Sequence, residues 1–261
     1  MACTVTTFAR RLALLAGLLL VAPAALAEPP DEPQTVWVGG YVFPPFVDKS
    51  AGVTHELIGA MNRFQQDYRF RFIPTSSKRR YADLARGAFS VILFENIEWG
   101  WDRQQVEASK VYLQGDGEVY VALNKPGRDQ RFFEDLSQRS LIAVTGYHYG
   151  FANFNADAAE LRKRYRITFS DDNEASLRML QLERGEVAII TRSYLQHYLQ
   201  ARPALRERLL VSERLDQAYA HTALVRKGSR PSAEEIDALL GRMAASGALA
   251  EVWRKYGLDA R

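Results

Sequence analysis

The chain has 261 residues, with 34 Lys and Arg against 31 Asp and Glu, and a single cysteine, Cys3. Near-balanced charge excludes the concentrated basic face that nucleic-acid recognition needs. One thiol excludes a disulfide framework, so an apolar core must hold the fold, and 47% apolar residues suffice for one.

In chain order, Arg10 and Arg11 precede an unbroken apolar run at 12–22, followed by Ala25-Leu26-Ala27. A positive region, an apolar region and a small-x-small site are the parts of a cleavable secretory signal. The run is too short for a bilayer, which takes about 20 residues. Residues 1–27 are therefore read as a signal peptide. Cys3 precedes the run and cannot be a lipoprotein acceptor. Pro29, Pro30 and Pro33 make 28–35 a flexible leader.

Residues 36–38 predict a short strand ending at Gly39-Gly40, and a loop with Tyr41, Phe43, Pro44, Pro45 and Phe46 follows. Leu57, Ile58, Met61 and Phe64 have helical spacing within 55–68, and 68–73 alternates as a strand. A short helix is predicted over 80–86, closed by Gly87, and a buried strand over 89–94. Further strands are predicted at 118–123, 141–144, 167–169, 187–190 and 219–226. Helices are predicted from near Phe151, over 174–183, and over 236–246 and 249–256 with a break at Gly247. Strands alternating with helices indicate an α/β fold with largely parallel sheets.

No G-x-S-x-G, Walker A or G-x-G-x-x-G signature is present. His55, His148, His197 and His221 do not fall at metal-ligand spacings. No metal or other cofactor is expected.

Five pieces carry a resemblance. They are Val36-Trp37-Val38-Gly39-Gly40-Tyr41-x-x-Pro44-Pro45-Phe46; Arg79 to Gly87 followed by Phe89-Ser90-Val91-Ile92-Leu93; the stretch 141–150; Leu182-x-x-Gly185-Glu-Val-Ala-Ile-Ile; and Gly247-x-x-x-x-x-Trp253-x-x-Tyr256-Gly257. In this order they resemble the bacterial family 3 extracellular solute-binding proteins, of the polar amino-acid uptake type. The resemblance covers nearly the whole chain after the leader.

It implies a type II periplasmic-binding-protein fold. Two lobes, each a mixed sheet flanked by helices, are joined by two hinge crossovers. Lobe 1 is expected over 36–119 plus 222–261, lobe 2 over 126–218, and the hinge strands at 120–125 and 219–224. The implied function is capture of a small polar solute in the periplasm and delivery to an inner-membrane ABC permease, by a monomer and without chemistry on the ligand. A periplasmic dehydratase on the same fold, a sensor feeding a membrane receptor, and a member that has lost binding remain alternatives.

The resemblance also implies where the ligand binds. Tyr41 and Phe46 would offer flat apolar faces to it. Arg103 or Arg79 would clamp its carboxylate, since a planar guanidinium gives two parallel hydrogen bonds. Glu95 with Trp99 and Trp101 would suit an apolar or cationic part of the ligand. Gly146, with Tyr147, His148 and Tyr149 beside it, would present backbone N–H groups at a helix N-terminus to an anion. Ser193 stands where amino-acid binders usually place an Asp for the α-ammonium, and Ala188 replaces another Asp. An ordinary α-amino acid would therefore need a different cation partner.

Overall fold

The structure is a computed structural model that describes residues 1–2, 32–48 and 51–258. The expected signal peptide, apart from its first two residues, lies outside them, as does the first half of the leader, 28–31. In chain order the elements are β1 (Gln34–Gly40), α1 (Val53–Phe64), β2 (Tyr68–Pro74), α2 (Arg80–Ala85), β3 (Val91–Glu95), β4 (Val106–Ala108), β5 (Leu113–Leu123), β6 (Ser140–Val144), α3 (Ala158–Arg164), β7 (Arg166–Ser170), α4 (Asn173–Gln181), β8 (Val187–Thr191), α5 (Arg192–Gln200), β9 (Leu209–Arg226), α6 (Ala233–Ala245) and α7 (Ala248–Arg254).

The strands run in the order β2-β1-β3-β9-β5-β8-β6-β7, with β4 also on β9. Each half has its own parallel unit, β2-β1-β3 in the first and β7-β6-β8 in the second. The long strand β9 joins them: it is antiparallel to β3 of the first and reaches the second through β5, which is antiparallel to both β9 and β8. It pairs with β5 from Leu209 to His221 and with β3 and β4 from Thr222 to Arg226.

The chain therefore passes between halves where 108–113 lies beside 221–224. Ala108 pairs with Leu224 there, Tyr112 N–H donates to His221 O, and Leu113 pairs with His221. This revises the first crossover expected at 120–125. Tyr120 and Val121 already pair with Ile189 and Ala188 inside the second half.

Each half buries its strands against helices. Val38, Leu57, Met61, Phe70 and Ile92 pack in the first with Ile236, Met243 and Trp253 of the C-terminal pair α6–α7. Val121, Ile142, Leu177, Leu180, Ile190 and Leu195 pack in the second. Side-chain caps fix the helix starts, as expected where the first N–H groups lack intrahelical partners. Asp157 caps α3, Asp172 caps α4, and Ser232 with Glu235 forms a capping box on α6.

The clearest differences from the sequence expectation are three, beside the unexpected short strand β4 and the earlier start of β5 at Leu113. No long helix opens near Phe151; a single 3-10 turn at Gly150–Ala152 stands there, and α3 begins only at Ala158. β9 has 18 residues rather than eight, because its first half, with Glu213, Arg214 and Asp216, lacks an apolar pattern. Helix α5 was not expected; it follows β8 without a loop.

Candidate functional site

Between the halves lies a small cavity, about 10 Å³. From the first half Tyr41, Phe43, Arg80 and Trp99 line it. From the second come Glu118, Tyr147 and His148, and β9 adds Gln217 and Tyr219.

Arg80 is the first residue of α2. It shares the buried face of that short helix with Asp83 and Leu84, the i, i+3, i+4 neighbours on one side. Its side chain is 1% exposed, and its Nε lies 3.1 Å from Oε1 of Glu95, itself fully buried. Its Nη1 donates to Ser77 O. The guanidinium carbon sits 4.5 Å from the centre of the Tyr41 ring, 4.6 Å from Tyr81 and 5.8 Å from Trp101. Such a cage favours a cation electrostatically and fixes its plane. Glu95 Oε2 accepts from Trp101 Nε1 at 2.7 Å. Burial pushes the Glu95 carboxyl up to about 7, against the opposing pull of Arg80 and the Trp101 hydrogen bond.

Glu118 stands on β5 in the other half. Its Oε2 accepts from Gln217 Nε2 at 2.8 Å. Among the described residues no basic side chain forms an ion pair with it. Burial, and after it the charge of Asp216, raises its carboxyl well above the ordinary carboxylate range. One cavity thus joins a guanidinium on one half to a carboxyl group on the other.

The halves also touch directly around this cavity. Trp99 Nε1 donates to Gln217 Oε1 at 3.0 Å, Tyr147 OH donates to Val42 O at 2.9 Å, and Ser77 Oγ donates to Thr145 O at 2.9 Å. Tyr81 OH meets His148 Nε2 at 2.8 Å. Beyond this last pair a wide groove of about 1230 Å³ opens to solvent.

Four residues singled out in the sequence, Tyr41, Trp99, Tyr147 and His148, line the cavity. Glu95 and Trp101 lie one layer behind it and hold Arg80. Phe46 is buried beneath it, with its ring 4.9 Å from Phe43 and 4.5 Å from His221. Both arginines expected to clamp an anion lie elsewhere. Arg79 is exposed. Arg103 is 89% exposed beside Asp102, on the wall of the outer groove.

Gly146 approaches the first half too closely for a side chain, since a Cβ there would lie 2.6 Å from Ser77 Oγ. It opens no helix, and the N–H groups of Gly150 and Phe151 that follow are both taken by the Asp216 carboxylate. Tyr149 is buried, with its hydroxyl accepting from Val144 N–H at 2.7 Å. Ser193 faces away from the cavity. Its Oγ and N–H both donate to Asp116, at 2.5 and 3.1 Å, and that acid caps α5 from a separate pocket.

Sequence reasoning missed Phe43, Arg80, Glu118, Gln217 and Tyr219. Arg80 had a signal, its spacing to Leu84 on a helix. Glu118 had another, a carboxylate heading the apolar run Val119 to Leu123. Among the described residues no group of three His, Cys, Asp or Glu side chains could hold a metal ion, and no helix is long and apolar enough to cross a membrane.

No family model and no curated protein matches the sequence. Solved structures do share its fold. An ancestral arginine-binding protein bound to arginine is 18% identical, with 86% of this chain and 99% of that one covered, at a TM-score of 0.65. An ABC uptake transporter substrate-binding protein from Streptococcus pneumoniae with bound histidine is 20% identical, with 85% and 92% covered, at 0.67. An ancestral amino-acid-binding protein described as a precursor of cyclohexadienyl dehydratase is 18% identical, with 85% and 94% covered, at 0.64. The chain thus has the two-lobed α/β fold of type II periplasmic binding proteins.

Proposed function

We propose that this protein captures a small zwitterionic solute, an amino acid or a close relative, between its two halves and delivers it to an ABC-type importer. The observation that carries the reading is the pairing of Arg80 and Glu118 on opposite walls of one cavity. Arg80 has a fixed plane and suits a carboxylate. Glu118 has no cation of its own and suits an ammonium. It would replace the acidic residue that the sequence lacks at Ser193. Tyr41, Phe43, Trp99 and Tyr219 would cover the apolar part of the solute.

Hinge motion where β9 lies beside 108–113 would open the cavity, and closure would bury the solute. The solved structures of like fold bound to arginine and histidine support this class of ligand. The signal-like N-terminus supports a periplasmic location, where a monomer would meet an inner-membrane permease.

A thermal-shift screen of the L-amino acids tests the reading. At least one should raise the melting temperature increasingly as its concentration passes its Kd. If none does, and the chain instead consumes prephenate or arogenate, it is an enzyme on this fold. Cells lacking the protein should lose uptake of the radiolabelled amino acid that binds.

A further inference from the structure

We infer that Tyr112 is a positioning residue for Arg80, acting through a left-handed bulge at Phe94 and then through Glu95. The inference deepens the proposed solute site, and rests on that reading only in what Arg80 holds. Strand β3 is buried along its whole length, and its end meets β9, the crossover at 108–113 and α7.

Val91 pairs with Val225 and Ile92 with Leu224, but Glu95 pairs with Thr222. From Ile92 to Glu95 β3 advances three residues while β9 advances two, which is a one-residue bulge. Residues paired directly share a face of the sheet, and Thr222 and Leu224 lie two apart on β9. Glu95 therefore takes the face of Ile92. Without the extra residue it would take the face of Val91 and Leu93 and stand opposite His221, among Phe43, Phe46 and Tyr219. The bulge turns Glu95 instead to Arg80, whose Nε lies 3.1 Å from its Oε1.

The bulge is strained and needs support. Phe94 sits at φ +59°, in the left-handed region, where a bulky side chain is an outlier. As the extra residue, it has no ladder partner for its N–H. That N–H donates to the Tyr112 hydroxyl at 2.7 Å. The Phe94 ring, 1% exposed, packs against Phe46, Tyr112, His221 and Trp253 with centres 4.8 to 6.0 Å apart. Past the bulge, Thr222 Oγ1 donates to Glu95 O at 3.0 Å and fixes the strand again.

Tyr112 is itself anchored at the hinge. It lies between β4 and β5, its N–H donates to His221 O at 3.0 Å, and its ring stacks on Trp253 with planes 17° apart. The links run from the hinge through the Tyr112 hydroxyl, the Phe94 amide and the Glu95 carboxyl group to the guanidinium. Trp101 Nε1 holds the other oxygen of Glu95. Arg80 lines the cavity and Tyr112 does not, so Tyr112 acts on a solute only through Arg80.

NMR of ligand-free Tyr112→Phe tests the inference. The variant keeps the ring and its stacking, and removes only the acceptor of the Phe94 N–H. The reporters are the Trp101 indole N–H, assigned by its loss in Trp101→Phe, and the Arg80 Nε–H, assigned by its contacts to the Tyr41 ring. Both should shift by more than their linewidths, while backbone amides of 166–200 in the second half stay in place. A lower melting temperature with both reporters unmoved is the mark of a merely structural tyrosine, and overturns the inference. Should Tyr112→Phe not fold, the wild type decides. A strong contact of the Phe94 amide hydrogen with its own α hydrogen, and a second with the Tyr112 ε hydrogens, mark the left-handed bulge held by Tyr112. Absence of either overturns the inference. No solute enters these measurements, so failure of the positioning and failure of solute capture are told apart.

Discussion

The two walls of the cavity are built on opposite principles. Arg80 arrives with its counter-ion, Glu95, and three rings already around it, so its charge is settled before any ligand comes. Glu118 accepts from the Gln217 amide and lies near another acid, Asp216, and burial raises its carboxyl, so a cation beside it would favour its ionised form. A preorganised cation needs little rearrangement to bind, whereas an acid whose carboxyl is raised by burial couples binding to a proton. The first wall should thus matter most to stability and the second most to pH-dependent affinity.

The largest expected effect is on the first wall. Glu95→Gln leaves the Arg80 guanidinium buried without a counter-charge and should cost about 3 to 5 kcal/mol in denaturant unfolding. A loss under 1 kcal/mol would mean that Arg80 finds another partner and is not pinned.

Glu118→Gln should do the reverse. It removes an acid without a cation, so unfolding stability should hold or rise slightly. Affinity for the amino acid found in the screen should fall roughly 10- to 100-fold, the worth of a hydrogen bond to a charged group. Equal stability losses at Glu95 and Glu118 would erase the contrast between the walls.

Smaller still is a pH effect. The Glu118 carboxyl is raised in the free protein and must ionise to hold an ammonium, so binding releases a proton. Wild-type affinity should then rise with pH, by at most about tenfold per unit, while Glu118→Gln should flatten that slope. Titration calorimetry in buffers of different ionisation enthalpy reads the released proton directly.

The smallest effect lies below the cavity. His221 is fully buried among Phe43, Phe46, Phe94 and Tyr219, and among the described residues no side chain or backbone group forms a well-aligned hydrogen bond with either ring nitrogen. Burial lowers its imidazole to about 3. Its neutral form therefore supports the fold above the unfolded value near 6.5, and that support is lost as pH falls toward 3. His221→Phe should gain about 1 kcal/mol at pH 7 and reduce the acid loss of stability in thermal melts.

Much of this architecture was legible in the sequence. The apolar spacing of Leu57, Ile58 and Met61, the run at 187–190 and the two C-terminal helices all stand where periodicity puts them. The site was legible in outline only. Arg79 and Arg80 are neighbours, and the first turn of α2 sends one outward and the other inward. Charge alone does not separate them, though helical spacing to Leu84 does. Glu118 and Gln217 face each other only because β5 and β9 pair in register there, with Glu118 opposite Gln217. That pairing joins residues about a hundred positions apart, and no local pattern carries it. The early part of β9 hid for a related reason. A strand that serves two halves meets apolar and polar surroundings in turn, and its alternation breaks.

The central claim is that Arg80 and Glu118 grip the two ends of one zwitterion. The most direct measurement is calorimetric titration at pH 7.5 with the amino acid that binds best, beside its methyl ester and its N-acetyl derivative. The ester removes the charge meant for Arg80, and the acetyl group removes the charge meant for Glu118. The account predicts that each derivative binds at least 10-fold more weakly than the parent, and that Glu118→Gln narrows the gap only for the N-acetyl compound. Derivatives that bind as tightly as the parent would contradict it.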